Sequence, residues 1–178
     1  MSAMIRNFIE RIERKKDSVT YWRKKGARIG DNCVIFPEAY LGSEPYLVSI
    51  GDNVRITNGV NIITHDGGVW VLRHLKKELS NVDIVNNVII GNNVHIGSNA
   101  VIMPGVKVGN NVIIGCGAIV TKNIPDNLIV AGIPAKPIET IEDYYNKHKP
   151  DFIHTKNMST EEKRAFLLAK FRCDLTKE

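Results

Sequence analysis

The stretch IVNNVIIGNNVHIGSNAVIMPGVKVGNNVIIGCGAIV, residues 84–120, carries a six-residue period. Steps of six from Ile84 land on Ile90, Ile96, Ile102, Val108, Ile114 and Val120, every one a β-branched aliphatic. Four residues after each comes a second small or branched apolar residue: Val88, Val94, Ala100, Val106, Val112, Ala118 and Ile124. Gly91, Gly97, Gly109 and Gly115 directly follow the aliphatic, and Asn or Asp often comes next. The same template stands upstream in Ile29-Gly30-Asp31-Asn32-Cys33 with Ile35, and in Ile50-Gly51-Asp52-Asn53-Val54 with Ile56 and Ile62.

An α-helix does not produce this pattern. Its turn of about 3.6 residues scatters six-spaced aliphatics around the cylinder, and the Gly and Asn content destabilises it. A short strand followed by a tight turn does produce it. The aliphatic points inward, Gly and Asn take the positive φ of a sharp corner, and the next aliphatic opens the next face. Three faces then make one triangular coil, and stacked coils pair as parallel strands around a continuous apolar column. The predicted class is mainly β, a parallel β-helix with α-helices at both ends.

The phase breaks twice. Three extra residues surround Pro45 between Leu41 and Ile50, and residues 66–83 carry no repeat. Excursions from a solenoid cost little closure entropy and commonly carry function. This second one begins directly after His65. Outside the repeat, Ile5, Phe8, Ile9 and Ile12 have the spacing of an amphipathic helix. Ser18 is placed to cap a second helix closed by Gly26, residues 138–149 read as a third, and Ser159-Thr160-Glu161-Glu162 is a capping box opening another. The expected organisation is a helical segment over residues 1–26, the β-helix over 27–137 with its excursion at 66–83, and a helical segment over 138–178. The flanking helices are expected to cover the open sheet edges of the solenoid.

The chain has 178 residues, 43% hydrophobic and 24% charged, enough for a substantial core. No apolar run reaches the roughly 20 residues of a membrane helix, and the N-terminus lacks the apolar core of a signal peptide. Cys33, Cys116 and Cys173 are widely spaced and form no metal-ligand pair, which fits reduced thiols in the cytoplasm. The net charge of +5 comes from clusters such as Arg11, Arg14, Lys15 and Lys16 without interleaved aromatics. They read as solvated helix faces rather than a nucleic-acid surface, with membrane contact through the basic N-terminal helix as the alternative.

The hexapeptide template, Ile102-Met103-Pro104-Gly105-Val106, residues 115–122 and the closing Ala131-Gly132-Ile133-Pro134-Ala135-Lys136 together resemble the hexapeptide-repeat acyltransferases. The likeness covers roughly residues 20 to 137 and is greatest to the maltose and galactoside acetyltransferase-like branch, which includes polysaccharide O-acetyltransferases. The resemblance implies a left-handed β-helix and a homotrimer with active sites between neighbours. It also implies acetyl-CoA as co-substrate and a saccharide or small-molecule acceptor, such as a capsular, lipopolysaccharide or exopolysaccharide building block. His65 matches the family's catalytic histidine, and the chemistry is apt, because a hydroxyl attacking a thioester needs a base of near-neutral pKa. By the same resemblance Lys122 and Lys136 face the phosphates of the cofactor, and Ser98, Cys116, Ala118 and Thr121 line its pantetheine arm. Asn58 and Asp66 are candidates for orienting the imidazole or binding the acceptor. His95 stands where relatives commonly carry tryptophan, so it is a candidate acceptor contact. Trp22 and Trp70 have the shape to stack on a sugar ring, and equally to pack. Cys116, between two glycines and without a neighbouring base, does not read as a nucleophile.

Other readings stay open on sequence alone. An amino-sugar N-acetyltransferase or an antibiotic-inactivating acetyltransferase would use the same base. A γ-type carbonic anhydrase shares the prism but needs three zinc-binding histidines, and the spacing of His65, His74 and His95 does not match; no metal is expected. A non-catalytic docking β-helix would not bind acetyl-CoA.

Overall fold

In the computed structural model, residues 3–171 are described; Cys173 lies outside them. The chain divides into two compact units, one ending at Tyr144 and the other starting at Tyr145.

The first unit opens with helices α1 (Ala3–Lys16) and α2 (Ser18–Lys24), followed by short strands. They are β1 (Arg28–Ile29), β2 (Val34–Ile35), β3 (Val48–Ile50), β4 (Arg55–Ile56), β5 (Asn61–Ile62), β6 (Val88–Ile90), β7 (Val94–Ile96), β8 (Val101–Ile102), β9 (Lys107–Val108), β10 (Val112–Ile114), β11 (Ile119–Val120), β12 (Leu128–Ala131) and β13 (Lys136–Thr140). The chain visits three sheets in rotation. Strands β1, β3, β6 and β9 form the first sheet, β2, β4, β7, β10, β12 and β13 the second, and β5, β8 and β11 the third. Within each sheet, successive coils pair in parallel with like on like: Ile56 sits against Ile96, Ile96 against Ile114, and Ile114 against Val130. The repeat aliphatics Ile90, Ile96, Ile102, Val108, Ile114 and Val120 are all buried in one core. Each such side chain contributes about 1.5–3 kcal/mol relative to exposure.

Two corrections concern the repeat itself. Ile84, counted as its first member, is 48% exposed. Residues 84–86 instead pair antiparallel with residues 64–66, through Asp66 N–H to Ile84 C=O and Asn86 N–H to Thr64 C=O, both 2.8 Å. The inward column of this stretch therefore starts at Val88 and Ile90. Asn, and at other corners Gly59, Gly105 and Gly117, take the expected positive φ, whereas the glycines directly after the aliphatic, Gly91, Gly97, Gly109 and Gly115, do not. Positive φ at the repeated Gly-Asx-Asn corner falls on Asn32, Asn53, Asn93 and Asn111, and at the equivalent Pro125-Asp126-Asn127 corner on Asn127. The preceding glycine is needed because coils approach closely: a Cβ on Gly91 would lie 2.6 Å from the Gly109 carbonyl oxygen. Side chains lock the same corner. Asp52, Asn92, Asn110 and Asp126 each accept from the backbone N–H at the corresponding position one coil below, at 2.7–2.9 Å.

The N-terminal end is closed by α2, whose Tyr21 and Trp22 are buried against the first coils. Asp17, not Ser18, caps this helix, because its carboxylate accepts from Thr20 N–H at 3.0 Å while the Ser18 hydroxyl turns back to Arg14 C=O. At the other end residues 138–140 are strand rather than helix. β13 lies antiparallel on β12 as the outermost strand of the second sheet. An unpaired edge is a stronger demand than local helix preference, and Pro137 is tolerated on an outermost strand.

Helix α4 (Ile141–His148) leads into the second unit, which holds a 3₁₀ turn over Lys149–Asp151 and α5 (Thr160–Lys170). The predicted capping box is present: Ser159 and Glu162 bond each other's backbone N–H at 3.2 and 2.8 Å. Among the described residues no helix is long and apolar enough to cross a membrane.

Candidate active site

The third sheet has two edges. Turns arriving from the second sheet hold Asn58, Ser98 and Cys116, one per coil, stacked by Asn99 N–H to Asn58 C=O (2.9 Å) and Gly117 N–H to Ser98 C=O (2.8 Å). Turns leaving toward the first sheet hold Ser43 and Glu44, then Thr64 and His65, then Met103 and Pro104, then Thr121 and Lys122.

His65 sits on this leaving edge, at the neck of the excursion, where it bridges Val85 antiparallel. Its side chain is half-exposed, and its Nδ1 lies 3.3 Å from both Glu44 Oε2 and Ser43 Oγ. Glu44 comes from the coil below, in the break around Pro45, which forms a 3₁₀ turn over Pro45–Leu47. The fully buried Thr64 donates its hydroxyl proton to the same Oε2 in a short hydrogen bond. That bond, and after it His65, holds the Glu44 carboxyl below the usual carboxylate range. An ionised Glu44 selects the tautomer with the proton on Nδ1, leaving the Nε2 lone pair free to accept one. Neither Asn58 nor Asp66 faces the imidazole in this way. The Asp66 carboxylate accepts from Gly68 N–H at 2.8 Å and starts the turn into helix α3 (Val69–Leu75).

Glu44 was missed at the sequence level, although the phase break that delivers it was visible. Only the three surplus residues around Pro45 marked the place.

Two coils beyond His65 on the same edge, about 10 Å at the usual strand spacing, a cleft of about 270 Å³ opens. Thr121, Lys122 and Lys136 all line it, together with Val120, Pro134 and Ala135. The cleft exists because the chain reverses after Gly132 and docks on β11, with Ile119 N–H to Gly132 C=O at 3.1 Å and Ala135 N–H to Ile119 C=O at 2.8 Å. Two ammonium groups and a hydroxyl around one cleft suit a polyanionic ligand.

The remaining expected contacts lie elsewhere. Ser98 and Cys116 are on the arriving edge; the Ser98 hydroxyl donates to Thr57 Oγ1 at 3.3 Å, and Cys116 is an exposed free thiol. Ala118 is wholly buried, and its N–H and C=O are bonded to Gly115 and Val101, so the solenoid already uses it. His95 stands on the second sheet in register with Arg55 and Ile113. Burial, and then the Arg55 guanidinium, push its imidazole below the ordinary value. Trp22 is core, which removes it from sugar stacking, whereas Trp70 is 65% exposed on α3 with its ring centroid 4.8 Å from that of His74. Among the described residues no three His, Cys, Asp or Glu side chains converge as a metal site.

Comparison with known proteins decides the family. The Bacterial transferase hexapeptide (six repeats) family matches residues 80–122. Protein CapG of Staphylococcus aureus is 49% identical over 152 residues, 84% of this chain and 87% of that protein. The chain belongs to the hexapeptide-repeat transferase family. The galactoside O-acetyltransferase of Escherichia coli K12 is 44% identical over 146 residues, covering 68% of this chain and 69% of its own. A solved galactoside acetyltransferase in complex with coenzyme A superposes with a TM-score of 0.59 at 29% identity, over 80% of this chain and 82% of that one. As a hexapeptide-repeat enzyme, the chain is an acetyl-CoA-dependent O-acetyltransferase.

Proposed function

We propose that this hexapeptide-repeat enzyme acetylates a hydroxyl of a saccharide building block, of capsular, lipopolysaccharide or exopolysaccharide type. His65 is the general base, and the site lies between two subunits of a homotrimer of left-handed triangular prisms. The observation that carries the reading is the Thr64–Glu44–His65 chain of contacts, set on the same sheet edge as the Lys122–Lys136 cleft. His65 Nε2 takes the proton from the acceptor hydroxyl as its oxygen attacks the acetyl carbon, and the imidazolium formed is stabilised by Glu44. Acetyl-CoA supplies the acyl group as a thioester, whose C–S bond breaks as the new C–O bond forms. The proton held by His65 then goes to the departing thiolate sulfur, so that ester and free thiol leave with the base restored. Lys122, Lys136 and Thr121 hold the phosphate-bearing part of the cofactor, and the coil spacing sets its distance from the base.

The split of the expected contacts supports the trimer. One chain carries the base and the lysine cleft on the leaving edge, and Ser98, Cys116 and Asn58 on the arriving edge, with His95 on the sheet beyond. A threefold ring joins unlike surfaces, so the leaving edge of one subunit meets the arriving side of its neighbour. The acceptor then sits against His65 and Asp66 of one chain and His95 and Asn58 of the next. The galactoside O-acetyltransferase relative, by its name, acts on a sugar, which agrees with this acceptor class. The free thiols Cys33 and Cys116 fit a reducing, cytoplasmic setting.

Thiol release from acetyl-CoA across a panel of sugars, amino sugars and xenobiotic alcohols tests the assignment, with His65→Ala as control. Release that requires both a sugar hydroxyl and His65 is the expected result. Release with amines alone would transfer the enzyme to N-acetylation.

A further inference from the structure

Helix α1 is attached to the body by the wrong face for an ordinary surface helix. Glu10 reaches Lys25 Nζ at 2.8 Å and the Tyr21 hydroxyl at 3.3 Å, and these contacts fix which side points inward. At 100° per residue, the stripe of Ile5, Phe8, Ile9 and Ile12 is centred about 150° away from Glu10. The apolar stripe thus faces outward, with Phe8 64%, Ile9 42% and Ile12 51% exposed. Soluble helices bury such a stripe; this one displays it.

What flanks the stripe identifies its partner. Lys16 lies within its angular span at the C-terminal end, and Lys15 and Arg11 border it on one side, with Glu13 as the carboxylate on the other. A cationic strip alongside exposed Phe and Ile is the pattern of a helix lying in a membrane interface, its apolar face among the acyl chains and its cations among anionic headgroups. We infer that the outward face of α1 docks the enzyme on an anionic lipid surface. A second copy of the chain fits less well, since like cationic strips would meet across the contact.

Flotation of the full chain tests this, using vesicles of phosphatidylcholine with about one-third phosphatidylglycerol, against pure phosphatidylcholine. The partition coefficient is expected to be at least about tenfold higher on the anionic vesicles, and to fall as salt is raised. Phe8→Glu with Ile12→Glu should cost at least about tenfold, and Lys15→Glu with Lys16→Glu should remove the preference for anionic lipid. All four side chains are exposed, so both variants should keep the wild-type circular dichroism and acetyl-CoA titration. Equal binding to both vesicles, or binding that survives both variants, overturns the inference. So does a wild type that ignores vesicles while Phe8→Glu with Ile12→Glu changes the oligomer size in light scattering, which gives the face to a second copy.

Discussion

On one edge of the third sheet, the turns of Asn58, Ser98 and Cys116 follow one another without interruption; on the other, the turns of Glu44 and His65 are broken by insertions. The regular edge spends its backbone on holding coils together, as Asn99 on Asn58 and Gly117 on Ser98 show. The broken edge departs from the ladder at two adjacent coils, and both departures bring a titratable side chain to the same place. The three residues added around Pro45 present Glu44, and the excursion after residue 65 presents the His65 ring to it at 3.3 Å. A solenoid repeats its geometry, so chemistry needs a fault in the repeat, and two faults in register make a pair.

The comparison can be broken most sharply at His65. His65→Ala should lower kcat by about 10²–10⁴-fold and leave acetyl-CoA affinity nearly unchanged, because a base acts in the transition state. On the regular edge Cys116→Ser should stay within about threefold in kcat, since a turn thiol has no part in proton transfer. A comparable loss at Cys116 would erase the distinction between the edges. Glu44→Gln keeps the shape but removes the charge that stabilises imidazolium, and should cost about 10–100-fold in kcat with little change in the KM for acetyl-CoA. Steady-state kinetics that show the loss in KM alone would move Glu44 into substrate binding. Lys122→Ala with Lys136→Ala should act in the opposite sense, raising the KM for acetyl-CoA about tenfold with kcat preserved.

The smallest effect concerns acid stability. The Glu44 carboxyl is held below its ordinary value by Thr64 and His65. The unfolded chain therefore binds a proton there at a pH where the folded chain does not. The stability contributed is complete above the ordinary Glu pKa of about 4.3 and is lost as pH falls through the depressed value. In Glu44→Gln, urea midpoints measured downward from pH 5 should fall less steeply than in the wild type. Parallel curves would mean that the pair adds nothing to the fold.

Most of the solenoid was legible in the sequence because its core leaves little choice. Each strand must place a β-branched aliphatic inward at every sixth residue, and Ile96, Ile102 and Ile114 do so at no more than 1% exposure. The pattern misled at Ile84, which has the right type and spacing but pairs antiparallel with the neck of the excursion; periodicity reports side chains, not strand direction. It was silent on Glu44, because contact with His65, 21 residues away, depends on the register between coils and on how an insertion folds. It also misplaced β13, where the need of an open edge for a partner outweighs the helical look of residues 138–140. His65 was singled out by its match to the family's catalytic histidine and by its place before the excursion, since a lone histidine carries no such meaning.

The central claim is that each site takes the broken edge of one chain and the regular edge of another. Co-expression of His65→Ala with Cys116→Trp, on separately tagged chains purified as the mixed assembly, tests it directly. Each parent alone lacks one half of every site, the tryptophan by filling the regular edge. In a mixed threefold ring, whether it holds two chains of one parent or of the other, about one interface in three joins an intact His65 edge to an intact Cys116 edge. Acetyl transfer by the mixed assembly at about a third of the wild-type rate is the predicted result. Activity no higher than that of the two parents would place both halves of the site within one chain and contradict the account.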